Sequence, residues 1–256
     1  MGYEISLTGR TVLIIGASSG LGKRFAKACV TAGARVALAA RRTDRLEALV
    51  QEITAAGGTA AAVAMDVLDE ASVKAAFDAA EANLGPIDTV IANAGISRAG
   101  PVVDLPIEAF DATVAVNLRG AFLTAREAGK RMIAGGSRDT GRGRVVLIAS
   151  IAAQVPLSGL VAYCASKAGV QMMGRALARE WVTKGVNVNM ICPGYIETEI
   201  NAEWFQSEGG KRQVQSFPRK RLMHESDLDA MVLYLCSDAS RAITGSVFNI
   251  DDGQVG

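Results

Sequence analysis

The sequence predicts an α/β protein built on a doubly wound parallel sheet, and three observations carry that prediction. Short apolar runs alternate with helix-period patterns of about ten to fifteen residues, as successive βα units require. The first run, Thr11 to Ile15 (TVLII), passes directly into GASSGLG and then into a helical pattern. Several runs close on small or turn-forming residues, and right-handed crossovers bring those ends to one edge of the sheet.

Gly16, Gly20 and Gly22 let the chain turn tightly after the first strand and approach a phosphate closely. The helix from Leu21 to Ala32 offers that phosphate its N-terminal N–H groups and positive dipole end. Ala34 to Ala40 (ARVALAA) is the second strand and completes a βαβ unit. An NAD-preferring dinucleotide fold carries a carboxylate near this strand's end, gripping the ribose diol. Here the end reads Ala39-Ala40-Arg41-Arg42, which has no acid to repel a 2′-phosphate and two guanidiniums to bind one. NADP(H) is therefore expected over NAD(H). Asp44 reads as a first-turn helix residue behind the cap Thr43.

A helix over Asp44 to Ala56 leads to a strand over Thr59 to Ala64, and Asp66-Val67 at its end is placed to meet an adenine edge. Asp69 starts the next helix, and the strand Thr89 to Ala92 closes on Asn93-Ala94-Gly95. Pro106 to Ile133 is a long helical stretch in which Asn117 marks either a kink or a solvated face. Gly135 to Gly143 (GGSRDTGRG) reads as a mobile charged loop. Val186 to Ile191 is a strand ended by Cys192-Pro193-Gly194, Ser226 to Ser237 a helix and Val247 to Ile250 a last strand. Between them, residues 195–221 carry Trp204, Phe205 and Phe217 among charges and read as a flap over a site. No repeat or linker divides the chain, so residues 1–256 are expected to form one domain.

The chemistry concentrates in Gly143 to Gly169. Ser150 closes the β-branched run RVVLIA, at the carboxyl end of a buried strand where open α/β sheets keep their ligand crevice. Tyr163 and Lys167 are four apart and share one helix face. A nearby ammonium favours the phenolate and would lower a tyrosine pKa from about 10 towards a useful range. Ser150 could then hold a substrate oxygen while Tyr163 moves its proton.

Composition excludes several alternatives. The 27 basic and 26 acidic residues nearly cancel, which gives no field for nucleic acid or anionic lipid. Val145 to Ser166 is uncharged over 22 residues, but Gln154, Pro156, Ser158 and Gly159 interrupt it, which argues against a membrane span. MGYEISLTGR lacks the features of a secretory signal. Cys29, Cys164, Cys192 and Cys236 form no CxxC and suit reduced thiols in a cytoplasmic protein. Lone His224 lies in a charged segment and suggests a surface role; no metal site is expected.

Taken together, GASSGLG, Asp66-Val67, Ala92 to Gly95, Asn117 within VNLRGAF, Ser150, YCASK, PGYIET and Thr244-Gly245 resemble the short-chain dehydrogenase/reductase family over essentially the whole chain. That resemblance implies a Rossmann fold with seven parallel strands, a nicotinamide cofactor and a homotetramer or homodimer. The pairing would run through helices around Phe110 to Met132 and Leu157 to Lys184 and through the last strand. It implies a catalytic set of Asn117, Ser150, Tyr163 and Lys167. In this set Tyr163 is the general acid or base, and Lys167 binds the nicotinamide ribose and lowers the tyrosine pKa. Ser150 orients the carbonyl, and Asn117, at a helix kink, holds a water that relays protons to Lys167. The cofactor would be held by Gly16, Ser18, Ser19, Gly20, Leu21, Gly22, Arg41, Arg42, Asp66, Val67, Asn93, Ala94 and Gly95. Pro193, Gly194, Ile196 and Thr198 would hold its carboxamide side. Three positions depart from the family pattern: Ile15 replaces a threonine, Ala92 an asparagine, and Asp252 a frequent glycine.

The expected activity is NADPH-dependent reduction of a ketone, either a simple carbonyl or a 3-oxoacyl thioester, with RALARE at Arg175 to Glu180 resembling the thioester reductases. An NAD-dependent alcohol, sugar or steroid dehydrogenase is the second reading, and Ala40 speaks against it. A dinucleotide sensor without turnover is the third, and the presence of both Tyr163 and Lys167 speaks against that.

Overall fold

A computed structural model describes residues 5–198 and 201–255. Residues 1–4, residues 199 and 200 of the segment read as a flap, and residue 256 lie outside them.

Seven strands form one parallel sheet: β1 (Thr11–Ile15), β2 (Arg35–Ala40), β3 (Thr59–Ala64), β4 (Thr89–Ala92), β5 (Gly143–Ile148), β6 (Val186–Pro193) and β7 (Val247–Ile250). Their order is β3-β2-β1-β4-β5-β6-β7, so the chain reverses its direction of winding between β1 and β4. At such a switch point the connections leave in opposite directions and open a crevice beyond the strand ends. β1 is buried at all five positions because helices cover both faces of the sheet. Leu13 and Ile15 face one layer with Phe77, Leu123, Val170 and Trp181, while Val12 and Ile14 face the other with Phe25, Leu46, Val232 and Leu235.

The helices are α1 (Gly20–Thr31), α2 (Thr43–Ala55), α3 (Glu70–Leu84), α4 (Ile107–Val114), α5 (Ala121–Ala134), α6 (Ser137–Thr140), α7 (Val161–Trp181), α8 (Ala202–Gln206), α9 (Glu208–Ser216) and α10 (Asp229–Cys236). Asp69 caps α3 by accepting the Ala71 N–H at 2.9 Å, as its residue type suggests. Thr43 is the first residue of α2 rather than its cap; Arg42 occupies that place, and Asp44 is in the first turn as expected.

Two segments differ from their sequence reading. The Pro106–Ile133 stretch is not one α-helix: a π-helical segment, Ala115–Gly120, separates α4 from α5. Asn117 lies inside it and is only 1 % exposed, so the kink is present and the solvated face is not. The Gly135–Gly143 segment folds into α6, with Gly136 and Gly141 in left-handed conformation at its two ends. Ser137 is buried there and donates to the Lys184 carbonyl at 2.6 Å, which pins the segment to the 3₁₀ turn that follows α7.

The uncharged Val145–Ser166 stretch divides into the end of β5, a 3₁₀ turn over Ile151–Ala153 and the start of α7. Among the described residues no helix is long and apolar enough to cross a membrane. His224 is exposed, and its Nδ1 accepts the Ser226 N–H at the start of a 3₁₀ turn over Glu225–Leu228.

Candidate active site

The carboxyl ends of β1, β2, β4, β5 and β6 border a cleft of about 480 Å³. Apart from Gly22 and Asn117, every cofactor or catalytic residue expected from the sequence lines it. Those two act from behind the wall. A Cβ on Gly22 would stand 2.2 Å from the Gly16 carbonyl oxygen, so only glycine lets the start of α1 pack against the end of β1. Gly16 has φ +77° and sits against Ala94, where a Cβ would come within 3.0 Å of that backbone. No side chain caps α1 and its first turn holds no acid, so its N-terminal N–H groups and positive dipole end face the cleft beside Gly20 and Leu21.

Arg41 and Arg42 are both exposed at the end of the cleft beside Ala40. They differ in what they do. Arg42 donates from Nε and Nη2 to Ser18 Oγ at 3.1 and 2.9 Å, and from Nη2 to Ser19 Oγ at 2.7 Å. It therefore braces the glycine loop. Asp66 also has structural bonds: its Oδ1 accepts the Leu68 N–H at 3.0 Å, which shapes the turn carrying Val67.

Asn117 is bonded on three sides. Its Oδ1 accepts the Ile96 N–H at 2.8 Å, and its Nδ2 donates to the Ile96 carbonyl at 2.9 Å and to Ser166 Oγ at 3.0 Å. The amide thus serves the loop after β4 as a neighbouring strand would. Gly95, next to Ile96, has no side chain, and a Cβ there would lie 3.3 Å from Asn117 Oδ1 and 3.6 Å from Lys167 Nζ.

Ser150 caps the 3₁₀ turn after β5 by accepting the Ala152 N–H at 3.1 Å, and its hydroxyl is near enough to the Tyr163 phenol to influence its titration. Tyr163 and Lys167 share a face of α7, with Nζ 5.6 Å from the centre of the tyrosine ring. Lys167 Nζ donates to the Ile148 carbonyl at 2.8 Å, and burial lowers its pKa to about 8. Burial raises the Tyr163 phenol above its ordinary value, and the Ser150 hydroxyl opposes that shift only in part. The Lys167 ammonium donates to the Ile148 carbonyl while lying over the Tyr163 ring.

Further lining comes from Ile15, Met65, Ile96, Val116, Ile148, Ala149 and Asn201, which the sequence did not single out as site residues. Most are apolar or contribute backbone, which no motif marks. Asn201 is different: its Oδ1 accepts the Thr198 N–H at 2.8 Å and its Nδ2 donates to the Ile196 carbonyl at 2.9 Å. A short amide three residues beyond a threonine is the signal that could have found it.

In the 195–221 segment, read from the sequence as a flap, the described aromatics pack on one another. Tyr195 stacks on Phe217 at 4.9 Å and meets Phe205 edge-on at 5.8 Å. Trp204 is half exposed and donates to Gln213 Oε1 at 2.6 Å.

A glycine cradle at a helix N-terminus, on the switch point of a parallel sheet, fits a dinucleotide. Ser150 and Tyr163 lie in the same cleft. The sequence pattern of the family described as short chain dehydrogenase matches residues 10–209, and the chain belongs to that family. It is 38% identical over 251 residues to D-threitol dehydrogenase of Mycolicibacterium smegmatis, covering 98% of this chain and 95% of that one. It is 34% identical over 253 residues to L-rhamnose 1-dehydrogenase (NAD(P)(+)) of Azotobacter vinelandii, covering 96% and 97%. Among solved structures, gluconate 5-dehydrogenase from Burkholderia cenocepacia in complex with NADP and tartrate superposes with a TM-score of 0.92 at 29% identity, covering 98% and 97% of the two chains. The family binds nicotinamide dinucleotides and interconverts CH–OH and C=O groups.

Proposed function

We propose that this protein is an NADP(H)-linked dehydrogenase acting on a polyol or sugar-like secondary alcohol. The observation that carries the reading is the gathering of Ser150, Tyr163 and Lys167 in the same cleft as the glycine cradle and Arg41. The relatives named above act on a tetritol and a hexose, which moves the substrate from the simple ketone or thioester expected from the sequence towards a polyhydroxylated alcohol. Arg175 and Arg179 are exposed on α7, but no relative named above points to an acyl carrier.

A bound nicotinamide supplies or accepts the hydride. Tyr163 would take the hydroxyl proton in oxidation and return it in reduction, while Ser150 holds the same oxygen by hydrogen bond. Lys167 would bind the ribose, and Asn117 would set the loop after β4 on which Gly95 and Ile96 stand. Gly16, Ser18, Ser19, Gly20 and Leu21 would take the pyrophosphate, and Asp66 and Val67 the adenine edge. Asn93, Ala94, Gly95, Pro193, Gly194, Ile196 and Thr198 would surround the nicotinamide half. Arg41 would meet the 2′-phosphate, with Arg42 bracing Ser18 and Ser19 beneath it.

A panel of D-threitol, L-rhamnose and D-gluconate with NADP⁺ and NAD⁺, read by cofactor absorbance, tests the substrate class. A 3-oxoacyl thioester with NADPH serves as the contrasting substrate. Reduction of NADP⁺ by a polyol is expected; turnover of the thioester with none of the polyols overturns the reading. For the cofactor, NADPH should bind at least tenfold tighter than NADH, about 1.4 kcal/mol, and Arg41→Ala should remove that gap. Equal or tighter binding of NADH overturns the preference.

A homotetramer or homodimer is the assembly we propose, supported by Phe122 at 40% and Met172 at 62% exposure on α5 and α7. Light scattering that returns a monomer contradicts it.

A further inference from the structure

Two non-glycine residues have left-handed backbones among those described, Lys220 at φ 50° and Asp252 at φ 57°. A non-glycine residue is strained in this conformation, so surrounding structure must hold it. The two meet across ion pairs. Arg219 and Arg221 flank Lys220, and both reach Asp252: Arg219 Nη1 lies 3.1 Å from Oδ1 and Arg221 Nε 2.9 Å from Oδ2. The carboxylate is only 10% exposed, while the arginines are 66% and 54% exposed.

The turn carrying these arginines begins at Phe217, whose carbonyl accepts the Lys220 N–H at 3.0 Å. Phe217 is the ring stacked on Tyr195, and the Met223 N–H donates to the Tyr195 carbonyl at 3.0 Å. Two residues beyond Asp252, Gln254 Oε1 accepts the Tyr195 N–H at 2.6 Å. The C-terminal loop therefore grips Tyr195 directly and grips the flap's return turn through the arginines. Tyr195 follows Pro193 and Gly194 of the cleft wall, and its phenol is near enough to Tyr163 to act on it electrostatically.

We propose that Asp252 is a positioning residue of the active site, which binds Arg219 and Arg221 together and holds the return turn of the flap against Tyr195 on the substrate side of the cleft. The substrate side is that of the function proposed above, but the latch itself is testable without any substrate.

Hydrogen exchange on the full chain decides it. Asp252→Asn keeps a residue type tolerant of left-handed backbone and removes the charge. It should speed exchange of the Lys220 and Met223 amides about fivefold, with β5 unchanged. Arg219→Ala with Arg221→Ala should do the same, and the triple variant should add nothing further. Salt at about 1 M should speed exchange in the wild type and not in Asp252→Asn. Additive effects, no effect, or acceleration spreading into β5 overturn the proposal. Asp252→Gly relieves the backbone strain; if it keeps wild-type protection, the backbone rather than the carboxylate matters and the proposal also falls. With any polyol that the wild type turns over, Asp252→Asn should raise KM about fivefold while kcat and NADPH affinity stay within about twofold. An unchanged KM there overturns the positioning role, even where exchange responds.

Discussion

Lys167 Nζ and the Ile148 carbonyl oxygen are 2.8 Å apart, in a site where the lysine is only 4% exposed. That bond joins α7 to the last residue of β5 and sets where the ammonium can point. Its environment favours the neutral amine, which lowers the pKa from 10.5 to about 8. The unfolded chain then binds more protons between those two values, so stability rises with pH across that window. Urea unfolding should show the wild type gaining on Lys167→Met from pH 8 to 10.5, with a constant difference below pH 8. A difference that does not change with pH contradicts the buried ammonium.

Tyr163 titrates in the opposite sense. Burial holds the phenol above its ordinary value, so the protein alone keeps it protonated at neutral pH. Alcohol oxidation needs the base form, and ketone reduction the acid form. The oxidation rate should therefore rise with pH through neutrality, while reduction stays level there. Initial-rate profiles in both directions check this, and a level oxidation profile contradicts it.

Gly22→Ala forces a methyl group to within 2.2 Å of the Gly16 carbonyl. The overpacking should cost about 1–3 kcal/mol of stability and weaken NADPH binding, because the cradle and the start of α1 must separate. Thermal unfolding and fluorescence titration check the two effects together.

Asn117→Ala removes the partner of both the N–H and the carbonyl of Ile96. About 2–4 kcal/mol of stability should be lost, since buried backbone groups are left unpaired. Denaturant unfolding measures it, and a loss under about 1 kcal/mol contradicts the bracing role.

How far the sequence could be read depended on whether a feature is local. The strands were readable almost to the residue because buried parallel strands are short uninterrupted apolar runs, as in Thr11–Ile15 and Thr89–Ala92. The cleft residues were readable because glycine and small residues must recur where backbones approach. The π-helical segment was not, because Asn117 is satisfied by Ile96 and Ser166, and Ser166 is 49 positions away. Nor was the order of α6, which rests on Lys184. Ile15 and Ala92 stand at two of the positions that depart from the family pattern. They are register partners on β1 and β4 and share one apolar core.

The most direct test of the central claim is Tyr163→Phe, assayed for polyol oxidation and for NADPH binding in parallel. The phenol hydroxyl is the atom assigned to move the proton, and removing it leaves the cradle intact. Activity should fall by about 10²–10⁴-fold with NADPH affinity within about twofold of wild type. Retained activity in this variant would contradict the assignment of Tyr163 as the acid and base.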